Sequence, residues 1–127
     1  MRTEKKRILV VDDQASDSQL LKRYLEGTHN YVVREENNPA AALSAAEEFQ
    51  PHLILLDVLM PGMDGAELAA RIQADPKLKT VPIVFLTCVV TREEVELVGG
   101  RIGKYPFVAK PIVLTEVAAC VERHLGG

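Results

Sequence analysis

The sequence predicts an α/β domain: a parallel sheet covered by helices on both faces and wound through right-handed crossovers. Three observations lead there. Five short aliphatic runs alternate with five stretches of helical periodicity, joined by short connections. Two of the runs, Ile8-Leu9-Val10-Val11 and Leu53-Ile54-Leu55-Leu56, show no polar alternation, the pattern of strands buried on both faces. Four of the five runs close on a residue able to do chemistry, namely Asp12-Asp13, Asp57, Thr87 and Lys110.

Taken in order, Ile8–Val11 is the first strand and ends in acid. Leu20, Leu21, Tyr24 and Leu25 then recur at helical spacing and predict a buried helix face, closed by Gly27 as a C-terminal cap. Tyr31-Val32-Val33 is a short second strand. Asn38 caps the next helix and Pro39 opens it, at the position where a missing N–H costs nothing. Ala40, Ala41, Ala42, Ala45 and Ala46 let that helix lie close to a sheet before it ends near Phe49. Pro51 and Pro61-Gly62 bracket Leu53–Asp57 so tightly that a strand fits better than a helix.

Asp64 and Glu67 have the capping-box spacing ahead of a helix that buries Leu68 and Ile72 and stops at Asp75-Pro76. Pro82–Leu86 is the fourth strand and terminates in Thr87. Thr91 and Glu94 repeat the capping box before Val95 and Val98, and Gly99-Gly100 and Gly103 break that helix. Pro106–Ala109 is a fifth, short strand, expected at the sheet edge because proline cannot donate to a ladder. A last helix carries Val117, Val121 and Leu125 on one face and stops at Gly126-Gly127.

The expected organisation is one domain over residues 1–127, with a core from Arg7 to Leu125 and no internal repeat, low-complexity tract or linker. A net charge of −3 gives no electrostatic reason to expect direct nucleic-acid binding. No apolar run reaches the length of a membrane span, and the charged N-terminus has no apolar segment behind it. A cytoplasmic protein, neither membrane-bound nor secreted, is expected. Cys88 and Cys120 fit no metal-ligand spacing and are expected to be free thiols without a chemical role.

Parallel α/β sheets gather their chemistry at the carboxyl ends of the strands, where Asp12, Asp13, Asp57, Thr87 and Lys110 all fall. Singly, each has a plain explanation as turn chemistry, a cap or a surface charge. Turn chemistry, however, does not require acids after two strands and a lone Thr and Lys after two others. Three carboxylates brought together repel one another unless a cation is present. Mg²⁺ accepts one or two protein carboxylates while keeping several waters. Three acids, one divalent cation and one lysine balance in charge. Such a set is equipped for phosphoryl transfer, with Asp57, alone on the central strand, as nucleophile and Asp12 and Asp13 paired as ligands would be.

From Arg7 to about Leu125 the chain resembles the receiver domains of two-component response regulators. The resemblance rests on Asp12-Asp13, on Asp57 within Leu55-Leu56-Asp57-Val58-Leu59-Met60-Pro61-Gly62-Met63-Asp64-Gly65, on Thr87, and on Lys110-Pro111. It implies a five-stranded, flavodoxin-like sheet in the order 2-1-3-4-5. It implies that Asp57 accepts a phosphoryl group from a sensor histidine kinase or a phosphotransfer protein. Asp13, Asp57 and the backbone carbonyl of Leu59 would bind Mg²⁺ directly, Asp12 mainly through its water. Lys110 and Thr87 would contact the phosphoryl group, and Lys110-Pro111 would be a cis peptide.

The resemblance also implies a switch in which the Thr87 hydroxyl moves towards the phosphoryl group and Phe107 turns inward behind it. Phenylalanine has no hydroxyl to bond when turned outward, so a switch driven by packing is expected. The output surface would be the fourth helix, fifth strand and fifth helix, from Thr91 to His124, although Gly99–Gly103 departs from the usual pattern there. Leu59 and Val89 would flank the acyl phosphate without hydrogen-bonding water, so slow self-dephosphorylation is expected.

The expected partners are the phosphodonor and a downstream protein or the regulator's own output domain; phosphorylation-dependent homodimerisation stays open. No output domain follows, which leaves a stand-alone receiver or a piece of a longer regulator. Such a chain is a phosphoacceptor rather than a turnover enzyme. An aspartyl phosphatase of the haloacid-dehalogenase type would need an acid two residues past the nucleophile, where Leu59 stands. A phosphate-independent binding module is the other alternative, against which the intact set of acids, Thr and Lys argues.

Overall fold

A computed structural model describes residues 5–57, 59–60, 63–87, 101–102, 105–109 and 112–125. For 59–60, 63–64, 66, 87, 101–102, 105–106 and 109 only the backbone is described.

The aliphatic runs form one sheet. Strands β1 (Lys6–Val11), β2 (Tyr31–Glu36), β3 (Leu53–Asp57), β4 (Leu59–Met60), β5 (Met63–Asp64), β6 (Ile83–Thr87), β7 (Arg101–Ile102) and β8 (Tyr105–Ala109) follow in chain order. The main sheet runs β2-β1-β3-β6-β8-β7. Its first five members are mutually parallel, in the order expected, and β7 is antiparallel to β8. The strand bearing Pro106 is therefore not the outermost, contrary to the edge position expected from the proline. It has a two-residue partner beyond it, with Arg101 opposite Pro106. Strand β2 runs three residues past Val33, to Glu36. The Pro61-Gly62 segment lies between β4 and β5, a small antiparallel pair where no strand was expected.

The helices among the described residues are α1 (Ala15–Glu26), a 3₁₀ turn at Pro39–Ala41 running into α2 (Ala42–Phe49), α3 (Gly65–Ala74) and a C-terminal helix, Leu114–Leu125. Strand alternation sends successive residues of each central strand to opposite faces, and two cores result. Ile8, Val10, Leu53, Leu55, Val84 and Leu86 pack with Leu21 and Leu25 of α1 and Val117 and Val121 of the C-terminal helix. Leu9, Val11, Ile54, Leu56 and Phe85 pack with the alanines of α2 and with Leu68 and Ile72 of α3. A sheet covered on both faces explains why β3 is buried at every position.

Several local expectations change. On α1 the buried residues are Ser18, Leu21 and Leu25, and Leu20 is 44% exposed. Leu20 and Leu21 lie about 100° apart around the helix, and the sheet takes only one of them. Gly27 is the C-cap but is right-handed (φ −64°), and the left-handed residue of that turn is His29 (φ 67°). Asn38 caps as expected, its side chain accepting from the Ala40 N–H at 3.0 Å, although the first turn after Pro39 is 3₁₀. Asp64 directly precedes α3, but its side chain is outside the described residues, as are the helix expected after Thr91, Gly99-Gly100, Gly103 and Cys88. Cys120 is a buried free thiol, raised in pKa chiefly by burial.

At Val33 the outer edge of β2 is covered by side chains of α1. Lys22 Nζ donates to the Val33 carbonyl at 2.8 Å and Glu26 Oε2 accepts from the Val33 N–H at 2.9 Å, so a side-chain pair occupies groups that would otherwise invite another strand.

Candidate functional site

Sheet register brings the acids together. Val11 of β1 lies opposite Leu56 of β3, so Asp12, the next residue, stands level with Asp57, the last residue of β3. Both are buried, Asp12 fully and Asp57 at 3% exposure, whereas Asp13 is the most accessible of the three acids. One carboxylate oxygen from each of Asp12, Asp13 and Asp57 lies within 4.8 Å of the others. Two neighbouring strand ends account for this: the sheet supplies the spacing and the turn into α1 supplies the second acid.

Asp12 is held at several atoms. Its N–H donates to the Glu36 carbonyl at 3.1 Å, and its own carbonyl accepts from Asn37 Nδ2 at 2.7 Å. Its Oδ1 accepts from the Gln14 N–H at 2.9 Å, just ahead of the first turn of α1. The helix start thus offers the acids an N–H donor and the positive end of a dipole. Like charges gathered in a buried place are unfavourable without a counter-charge, and hard oxygen donors at this spacing fit a small divalent cation such as Mg²⁺.

The other expected site residues are placed as follows. Thr87 ends β6, one residue beyond Leu86, which pairs with Asp57; the backbone of Thr87 pairs with Ala109 of β8. Its side chain, and Lys110, Pro111 and Val89 altogether, are outside the described residues. Leu59 opens β4 two residues past Asp57, opposite Asp64. Phe107 is half-buried opposite Phe85 and packs against the core beneath α2 and α3.

The residues around Asp12 were not anticipated. Asn37 also donates from Nδ2 to Ser18 Oγ at 2.9 Å, and Ser18 Oγ lies 2.7 Å from Glu35 Oε1. One signal was present: Ser18 precedes Leu21 and Leu25 by three and seven residues, a polar side chain on an apolar stripe.

Comparison with known proteins agrees with this arrangement. The sequence matches the Response regulator receiver domain family over residues 8–122. It is 38% identical over 125 residues to the transcriptional regulatory protein ResD of Bacillus subtilis, covering 98% of this chain and 50% of ResD. This chain thus spans half the length of that relative. Among solved structures, a putative response regulator from Chloroflexus aurantiacus superposes with a TM-score of 0.83 at 30% identity, over 98% of this chain and all of the other. The chemotaxis protein CheY4 of Vibrio cholerae gives 0.82 at 25% identity, over 96% of this chain and 100% of its own. A parallel sheet in the 2-1-3-4-5 order, the three acids at its carboxyl edge and a family match over nearly the whole chain lead to one conclusion: the protein belongs to the response regulator receiver domain family.

Proposed function

We propose that this receiver domain accepts a phosphoryl group on Asp57 from the phosphohistidine of a histidine kinase or phosphotransfer protein, in a Mg²⁺-dependent reaction in the cytoplasm. The observation that carries the proposal is the meeting of the Asp12, Asp13 and Asp57 carboxylates within 4.8 Å at the end of the central strands. In this reading Asp13, Asp57 and the Leu59 carbonyl hold the cation, with Asp12 as an outer partner. When bound, the ion neutralises charge on the phosphoryl oxygens. An oxygen of the Asp57 carboxylate attacks phosphorus, the P–N bond to the donor imidazole breaks, and its electron pair returns to the ring nitrogen. The Lys110 ammonium and the Thr87 hydroxyl hold the transferred group, and Leu59 and Val89 keep water from attacking the acyl phosphate.

The modified aspartate carries a charge of roughly −1.5 to −2 in place of −1. Thr87 is drawn towards it, and Phe107, already half-buried beside Phe85, repacks inward. The surface from Thr91 to His124 then changes its fit for a downstream protein, an output domain or a second copy. A turnover phosphatase gains no support, because Leu59 stands where that chemistry needs an acid.

The test is labelling with a small acyl phosphate, read by intact mass. Wild type with Mg²⁺ gains one phosphoryl group; wild type in chelator and Asp57→Asn with Mg²⁺ gain none. An unlabelled wild type, or an Asp57→Asn protein labelled as well as wild type, overturns the proposal.

A further inference from the structure

We propose that Asn37, backed by Ser18, is a positioning residue that sets the Asp12–Asp13 turn for cation binding; the inference rests on the reading of the acid cluster as a Mg²⁺ pocket. Asp12 lies just past β1 and Asp13 in a bend. Besides the Gln14 N–H on Asp12 Oδ1, the turn is held from 24 and 25 residues further on, where the Glu36 carbonyl takes the Asp12 N–H and Asn37 Nδ2 donates to the Asp12 carbonyl. The loop that delivers Asn37 is itself fixed on both sides. Glu36 is in register with Val11 of β1, and Asn38 caps the turn that follows.

The direction of the chain of bonds is determined by donor counting. The Asp12 carbonyl can only accept, so the Asn37 amide must present its NH₂ group there. Its second hydrogen goes to Ser18 Oγ at 2.9 Å, which leaves the single Ser18 proton for an acceptor. Glu35 Oε1 at 2.7 Å outcompetes the Ala15 carbonyl at 3.1 Å, since a hydrogen bond to a carboxylate is the shorter and stronger kind. The fully buried Ser18 thus joins α1, the end of β2 and the acid turn. Three carboxylates of like charge meet at this turn, and the Asn37 bond ties the Asp12 main chain in place against their repulsion. Groups that orient a metal's ligands affect affinity even though they do not touch the ion.

The experiment is a Mg²⁺ titration of the whole chain followed by amide NMR shifts, well below the unfolding temperature, beside thermal unfolding of the metal-free protein. Asn37 is exposed, so Asn37→Ala is expected to fold and to weaken Mg²⁺ binding by about tenfold. Ser18→Ala weakens it in the same direction and by less. The double variant binds like Asn37→Ala alone, because Ser18 acts through Asn37. Asn37→Ala that binds as wild type does, with only its unfolding midpoint lowered, overturns the inference and leaves the metal pocket standing. Wild type that binds no Mg²⁺ overturns the pocket and this inference together.

Discussion

The two ends of the same sheet treat polar side chains in opposite ways. At the amino end, charged and polar groups close main-chain gaps. The Arg7 N–H donates to His52 Nδ1 at 2.9 Å, the His52 N–H donates to the Arg7 carbonyl at 2.7 Å, and Arg7 Nε donates to the carbonyls of Phe49 and Gln50 at 3.0 and 2.9 Å. Those carbonyls end α2, where Gln50 turns left-handed (φ 54°). At the carboxyl end, by contrast, three groups of one sign are gathered within 4.8 Å, two of them buried. The first arrangement lowers the free energy of the fold. The second gathers like charge, a feature a fold retains at a site kept for binding or chemistry.

If this contrast is right, changes at the two ends must separate stability from binding. The largest effect is at Asp57: removing one of three crowded charges in Asp57→Asn raises metal-free stability by about 1–3 kcal/mol and abolishes the stabilisation that Mg²⁺ gives wild type, read from urea unfolding with and without the ion. A metal-free Asp57→Asn less stable than wild type would mean that the acids are compensated within the chain. Next is the opposite end, where Arg7→Ala removes the donor to two helix-end carbonyls. A loss of about 1 kcal/mol with unchanged Mg²⁺ affinity is expected from the same unfolding curves.

The smallest effect belongs to the core between these ends. Cys120 is raised in pKa chiefly by burial, partly offset by the charge of Arg123, and Tyr31 is raised by burial and then by Glu122. Both groups are neutral when protonated, so the stability they contribute is full below their ordinary ranges and lost as pH rises through the folded values. Thermal midpoints should fall as pH rises past the ordinary thiol range, and Cys120→Ala should flatten that slope without altering phosphorylation.

Much of the fold was legible because its signals are local. Four consecutive aliphatic residues and nearby proline and glycine define β1 and β3, and Asn38-Pro39 marks a helix start from side-chain and ring chemistry alone. The errors were also local in origin. Helical spacing placed Leu20 with Leu21, but the orientation of α1 on the sheet decides which one is buried. Proline in β8 spoke for an edge, but whether two residues such as Arg101-Ile102 add a further strand depends on how the chain returns.

By itself the sequence determined the alternation of strands and helices and the presence of an acid at the end of each of two strands, since both follow from side-chain patterns a few residues long. Only the tertiary structure decided that Asp12 stands level with Asp57, and that Asn37 and Ser18 hold the acid turn. The bonds responsible join residues 19 and 25 apart in the chain, and the register joins residues farther apart still. Contacts of that kind exist only once the two cores have locked the strands side by side.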